Sequence, residues 1–316
     1  MTSLAERRIR PLPMPHLTRR HFAQLGLAVV LFPRALSAQE RLSIAAVNYP
    51  LAYFAERIAG EAGEVIFPVP VGQDPSFWRP GIADIAAFQG ADLIVLNGAG
   101  FADWTARTSL PRSRLVITSR AFEDAFIATE TVTHSHGDGG EHSHTGTASY
   151  TWLDFGQAAQ QAQAIAAGLS RVAPDMAEAF DANLAALQAD LAALGTAAEA
   201  LSGPAAELPV IASHPRYQYF ARAYGLSLEA VDWDVAAPPS EAQWAELAAI
   251  AEAQGARIFL WEGAPSPEAV ARIAALGMVS VTFPPLANRP MEGDFLSHMQ
   301  ASLERLSAAM EGAAGG

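Results

Sequence analysis

The sequence contains no cysteine, and all of its basic residues are arginine, because lysine is absent too. Without cysteine there can be no disulfides, no thiolate zinc site, no cysteine nucleophile and no lipid-bearing N-terminal cysteine. Basic charge is also scarce. Twenty Arg face 33 acidic residues, for a net charge of −13. That balance argues against nucleic acid as a partner, since such binders present a basic patch. No apolar run approaches the roughly 20 residues a spanning helix needs, so membrane insertion is not expected. What is present is ample apolar material. The 316 residues are 51% hydrophobic, with mean hydropathy +0.15. This suffices for a buried core in one large or two small domains.

The first 38 residues read as an address. Arg7, Arg8 and Arg10 precede Thr18-Arg19-Arg20-His21-Phe22, and an apolar run covers Leu25 to Phe32. Pro33-Arg34-Ala35-Leu36-Ser37-Ala38 follows, with small residues suited to cleavage. This order is that of a secretory signal peptide, and the arginine pair resembles a twin-arginine export signal. Residues 1–38 hold six Arg and one Glu, so the remainder carries 14 Arg and 32 acids, a charge of −18. An acidic protein of the periplasm is expected.

Beyond the address, short β-rich runs alternate with helical patterns. Runs at 42–48, 64–70, 92–97 and 114–119 make a first set, and runs at 208–213, 227–233, 257–262 and 279–283 a second. Helical stretches fall near 50–60, 81–89, 100–107, 215–225, 240–254, 266–277 and 294–311. Apolar runs of this length between helices predict an α/β protein with two parallel four-stranded sheets, one in each half. The expected organisation is an N-terminal lobe over 39–153, linking helices over 154–203 and a C-terminal lobe over 204–316. Pro174 suits the first turn of a new helix. From there to Leu201 no proline intervenes, and about 28 residues would make a rigid helix of roughly 42 Å. The alternative is two ordinary helices broken near Gly195.

Chemistry gathers at three places. Between Thr133 and Gly146 lie His134, His136, His142 and His144, among Gly, Ser and Asp. This composition predicts a surface loop. His214 follows the run Pro209–Ser213, and Glu262 closes Arg257–Trp261. In open parallel sheets ligands bind outside the carboxyl ends of strands, where both residues fall. Imidazoles with a carboxylate form a zinc-type donor set, with manganese or another divalent ion as the alternative. Each residue also has an ordinary reading: His214 as a hydrogen-bonded core histidine, Glu262 as an ion-paired acid, the loop as a weak metal sponge. Asp232 and Asp234 are reserve carboxylates. Tyr49, Trp78 and Trp261 could wall a cleft or pack in the core.

The order of several segments resembles the zinc/manganese receptor family of bacterial ABC importers. These segments are Asn48-Tyr49-Pro50-Leu51-Ala52-Tyr53-Phe54-Ala55, Val71-Gly72-Gln73-Asp74-Pro75-Ser76-Phe77-Trp78-Arg79-Pro80, and Ala91–Gly98. They continue with the His-rich insert before Thr151-Trp152-Leu153-Asp154, then Ser213-His214-Pro215-Arg216-Tyr217-Gln218-Tyr219-Phe220-Ala221 and Tyr224-Gly225-Leu226. The resemblance implies two βα lobes joined by a rigid backbone helix. It also implies capture of a metal ion and its delivery to an ABC transporter permease, by a monomer.

Three of the family's usual ligand positions depart from the pattern. The histidine of Asp-Pro-His is Ser76, the histidine before Trp-Leu-Asp is Tyr150, and the aspartate of Asp-Pro-Leu is Pro284. Only His214 matches. A metal would therefore have to be held differently, with the insert supplying imidazoles above a floor of His214 and Glu262. Two other readings remain for the same scaffold: a zinc buffer without a transporter, and a receptor for a metal chelate or other organic ligand. An enzyme is not expected, because no His-Glu-x-x-His, Gly-x-Ser-x-Gly or paired-carboxylate motif occurs.

Overall fold

A computed structural model describes residues 41–129, 133–135, 141–143, 146–202, 208–233 and 237–315, with only the backbone for 133–135 and 141–143. The expected export signal at 1–38 lies outside the described residues.

The first sheet is built from β1 (Leu42–Ala46), β2 (Gly63–Ile66), β3 (Leu93–Leu96) and β4 (Leu115–Ile117), in the order β2-β1-β3-β4. The second holds β7 (Val210–Ala212), β8 (Leu228–Ala230), β9 (Ile258–Trp261) and β10 (Val279–Thr282), in the order β10-β9-β7-β8. Every ladder in both sheets is parallel. Numbered from its own first strand, each sheet has the same order, 2-1-3-4. The chain thus uses one topology twice. In each sheet the connection reverses direction between the first and third strands, which is where such folds open a crevice.

Helices cover the sheets, and local sequence sets their ends. In α1 (Tyr49–Ala59) the Asn48 side chain accepts from the Leu51 N–H at 3.0 Å, and Pro50 sits in the first turn. α2 (Ile82–Gly90) crosses between β2 and β3. α3 (Phe155–Val172) starts on Asp154, whose carboxylate accepts from Gly156 and Gln157. Gly168 lets α3 lie close to the first sheet, since a Cβ there would meet Val116 Cγ2 at 2.7 Å. In the second lobe, α5 (Gln218–Tyr224), α6 (Glu241–Gln254) and α7 (Pro267–Ala275) alternate with the strands, and α8 (Phe295–Ala314) closes the chain. Gly255, at φ 69°, ends α6 in the left-handed conformation a glycine adopts without strain.

The linking segment differs in detail from the single 28-residue helix. Pro174 disfavours helical geometry at Ala173, which sits at φ −129° and ψ 76°. A single 3-10 turn, Pro174–Met176, follows, and α4 begins only at Ala177. It runs unbroken through Gly195 to Glu199, 23 residues or about 34 Å. The stretch expected as helix at 100–107 is a 3-10 turn, Asp103–Arg107, entered through Ala102 at φ 59°.

α4 packs on α1, α3 and α8. Arg57 of α1 pairs with Asp190 of α4 at 2.7 Å, and Asn183 of α4 donates to the Ile58 carbonyl at 2.9 Å. Phe54 of α1 meets Phe295 of α8 edge-on, with centroids 5.4 Å apart. One apolar core runs through both lobes, from Ile44 and Phe54 to Phe283 and Leu306. A smaller cluster around Trp233, Trp244, Phe259 and Trp261 fills the outer side of the second sheet.

Within the His-rich insert, expected as a surface loop, the described backbone is a strand pair. β5 (Thr133–Ser135) and β6 (Glu141–Ser143) pair antiparallel, with His134 directly opposite His142. His136 and His144 lie outside the described residues.

Candidate metal-binding site

The carboxyl ends of the crossover strands carry four polar residues in two matching pairs. After β1 and β3 come Asn48 and Asn97. After β7 and β9 come His214 and Glu262.

The first pair is closed upon itself. Asn48 Nδ2 donates to Asn97 Oδ1 at 3.2 Å, Gln161 Nε2 donates to the same oxygen at 3.1 Å, and Asn97 Nδ2 donates to the Ser149 carbonyl at 3.0 Å. Both asparagines are fully buried. Buried amides satisfied this way fix a structure rather than recruit an ion.

The second pair is different. A tight turn carries the chain past His214, with the Arg216 N–H reaching the His214 carbonyl at 2.9 Å. Pro215 at its centre supplies a φ already suited to the turn. His214 is 2% exposed. Its Nδ1 lies 3.0 Å from the Trp233 carbonyl and 3.1 Å from Asp232 Oδ1. Both neighbours only accept, so Nδ1 carries a proton and donates to them. Metal-binding histidines are commonly prepared this way, with one nitrogen spent on a carbonyl or carboxylate. Asp232 therefore stands behind His214, and Asp234 lies outside the described residues.

Glu262 is turned toward a cation of the protein's own. Arg216, 5% exposed, places Nε 3.6 Å from Glu262 Oε2, an ion pair too long for a hydrogen bond. Its Nη2 donates to Asp74 Oδ2 at 2.7 Å. The guanidinium carbon stands 4.5 Å from the centre of the Tyr150 ring. Burial pushes the Glu262 carboxyl above its ordinary range, while Arg216 pulls against that rise. Burial also raises the Tyr150 phenol, with Asp74 and Glu262 adding to the rise and Arg216 opposing it.

The departures from the family's ligand pattern lie around this cation. Ser76 Oγ donates to Asp74 Oδ1 at 2.7 Å and lies 3.2 Å from Tyr150 Oη. Tyr150 Oη also reaches Asp74 Oδ2 at 3.4 Å. Serine and tyrosine thus form a hydrogen-bonded net on Asp74. Pro284 offers no side-chain donor, and its neighbour Pro285 accepts the Trp152 indole N–H at 2.7 Å. Among the described residues no three His, Asp or Glu side chains converge to hold a metal ion.

The insert is tied to the helix that follows His214. At its stem, Ala148 N–H donates to the Ile127 carbonyl and Thr129 N–H to the Gly146 carbonyl, both at 2.9 Å. Tyr219 of α5, fully buried, clamps both sides of this stem. Its Oη accepts from Ile127 N–H at 3.3 Å and donates to the Ala148 carbonyl at 3.0 Å. Tyr49, Trp78 and Trp261 are all buried, and all take part in the core.

Asp74 and Arg216 were within reach of the sequence but were not singled out. Both lie inside segments that resemble the receptor family. An arginine two residues after the one retained ligand position was the available signal.

The fold and these paired strand ends define a two-lobed α/β protein with its polar groups at the crossover points. The chain belongs to the family described as zinc-uptake complex component A, periplasmic, whose profile matches residues 44–309. It is 29% identical over 230 residues to the zinc-binding lipoprotein AdcA of Streptococcus pneumoniae, across 70% of this chain and 45% of that protein. It is 27% identical over 183 residues to the manganese-binding lipoprotein MntA of Halalkalibacterium halodurans, across 57% of this chain and 56% of that one. The chain spans about half the length of these relatives. Among solved structures, the metal-dependent lipoprotein YcdH of Bacillus subtilis superposes with a TM-score of 0.72 at 21% identity, over 85% of this chain and 99% of that one. The manganese complex of FpvC from Pseudomonas aeruginosa gives 0.70 at 23%, over 86% and 99%. These two likenesses bear on the fold. No described helix is long and apolar enough to cross a membrane.

Proposed function

We propose that this protein is a periplasmic solute-binding protein that captures a divalent metal ion and hands it to an ABC transporter permease. Zinc is the first candidate and manganese the second. Family membership supports the class, and the names of the relatives support the cargo. The observation that carries the metal reading is His214, buried at the one retained ligand position, with its Nδ1 held by the Trp233 carbonyl and Asp232. The remaining donors come from the insert, whose stem is clamped to α5, the next helix along the chain. His134 and His142 are register partners on the strand pair. His136 and His144 are the further imidazoles of the insert. Glu262 serves as partner to Arg216.

Equilibrium dialysis against zinc tests this reading. One zinc per chain is expected, reduced by deletion of residues 130–145. Absence of stoichiometric zinc would refute it. The location has its own test. Changing Arg19 and Arg20 together to Lys should leave uncleaved precursor in the cytoplasm, and normal processing of that variant would overturn the twin-arginine route.

A further inference from the structure

We infer that Arg216 is a specificity-determining residue: its guanidinium is a resident cation that withholds Asp74 and Glu262 from a divalent ion and leaves the cargo to imidazole. The inference rests on the proposed metal reading but concerns which metal is taken.

The argument begins with chain placement. Asp74 belongs to the connection between β2 and α2 of the first lobe, whereas Arg216 and Glu262 follow β7 and β9 of the second. One guanidinium therefore draws together carboxylates from both lobes, at 2.7 and 3.6 Å from its nitrogens. The Arg216 side chain is 7% exposed, and the two carboxylate side chains 30% and 10%. Arg216 Nε is buried without a hydrogen-bond partner, so Glu262 holds it by charge alone. Tyr150, at one of the substituted ligand positions, stacks on this cation, and Ser76, at another, bonds to Asp74. Two positions that could have donated to a metal thus support the arginine instead.

The chemical consequence follows from donor preference. Carboxylate oxygens suit hard ions such as manganese, magnesium and calcium, whereas imidazole suits zinc. Asp74 and Glu262 are held by the guanidinium and Asp232 lies against His214 Nδ1 at 3.1 Å, so imidazole is the donor class this arrangement favours. Removing the guanidinium, which follows His214 by two residues, would release one carboxylate from each lobe as an oxygen donor and shift the preference toward manganese.

The test compares wild type, Arg216→Gln and Glu262→Gln by competitive titration with zinc and manganese. For Arg216→Gln the ratio of manganese to zinc affinity should rise by about tenfold or more, the scale on which outer groups tune metal sites. Glu262→Gln should leave zinc affinity within about twofold, because Glu262 is not a ligand while Arg216 holds it. An arginine with only a structural role would lower stability and leave the ratio unchanged. A folded Arg216→Gln protein with the wild-type ratio overturns the inference and leaves zinc capture standing. A large loss of zinc affinity in Glu262→Gln also overturns it. If the wild type binds neither metal while Arg216→Gln gains one, zinc capture fails and the withholding role stands. If neither protein binds, both fall. If Arg216→Gln melts below working temperature, manganese should restore its fold, and failure to do so counts against the inference.

Discussion

Replacing Tyr219 with Phe removes a single oxygen at the point where the His-rich ribbon meets α5. The ring stays, so packing is conserved. Two hydrogen bonds are lost, one from Ile127 N–H at 3.3 Å and one to the Ala148 carbonyl at 3.0 Å. An ordinary bond contributes about 1 kcal/mol net, and a buried group left unpaired costs about 1–3 kcal/mol. The first bond is long. The Ile127 carbonyl and Ala148 N–H remain paired to each other at 2.9 Å. A total near 1.5 kcal/mol is therefore reasonable for the pair. In a chain of this size each kcal/mol shifts the melting temperature by about 2–4 °C, so a fall of roughly 3–6 °C is expected. If the clamp also holds the ribbon where its imidazoles and His214 share an ion, the same free energy appears as about a tenfold rise in zinc Kd. Thermal denaturation followed by circular dichroism reads the first quantity, and competitive zinc titration the second. A variant that melts lower but binds zinc within twofold of wild type would refute the shared ion. The ribbon would then bind metal independently of the lobe that anchors it.

Two further outcomes follow. All six tyrosines have raised phenol pKa values, chiefly because burial disfavours the phenolate, and Tyr49 is pushed up to about 12. The folded protein therefore keeps protons that the unfolded chain releases near pH 10, so stability is intact below about pH 10 and falls above it. Phenolate absorbance should stay low until a steep rise that coincides with unfolding, and a gradual titration near pH 10 in the folded protein would contradict this. The second outcome concerns motion. With α4 packed on α1, α3 and α8 and one core through both lobes, zinc removal should change the solution-scattering radius by less than about 1 Å, whereas hinge closure moves whole domains. A change of several Å would show that the lobes hinge.

Much of the fold was legible because its signals are local. Each of the eight strands of the two parallel sheets falls in an apolar run visible in the sequence, β2 starting one residue ahead of its run, and Asn48, Asp154, Ser240, Ser266 and Asp294 mark helix starts by capping chemistry. The start of α4 was misjudged because Pro174 fits a 3-10 turn as readily as an α-helix. The ribbon was hidden because its strands are three residues long with a single β-branched residue, Thr133, between them, and because its register depends on pairing across the chain. His214 and Glu262 could be placed at strand ends from the sequence. The pairing of Asp74 with Arg216 could not, because 142 positions separate them and no periodicity links them. Whether a carboxylate faces a cleft or a guanidinium is decided by tertiary contact.

The central claim is that His214 and the ribbon hold one ion together. Zinc titration of wild type, His214→Ala and the ribbon-deleted protein tests it most directly. The account predicts one zinc in the wild type. It predicts a loss of at least about tenfold, or 1.4 kcal/mol, for His214→Ala, larger than for any single ribbon histidine because that strand pair has spare imidazoles. If His214→Ala binds one zinc as tightly as wild type, the buried histidine is not a ligand and the account is contradicted.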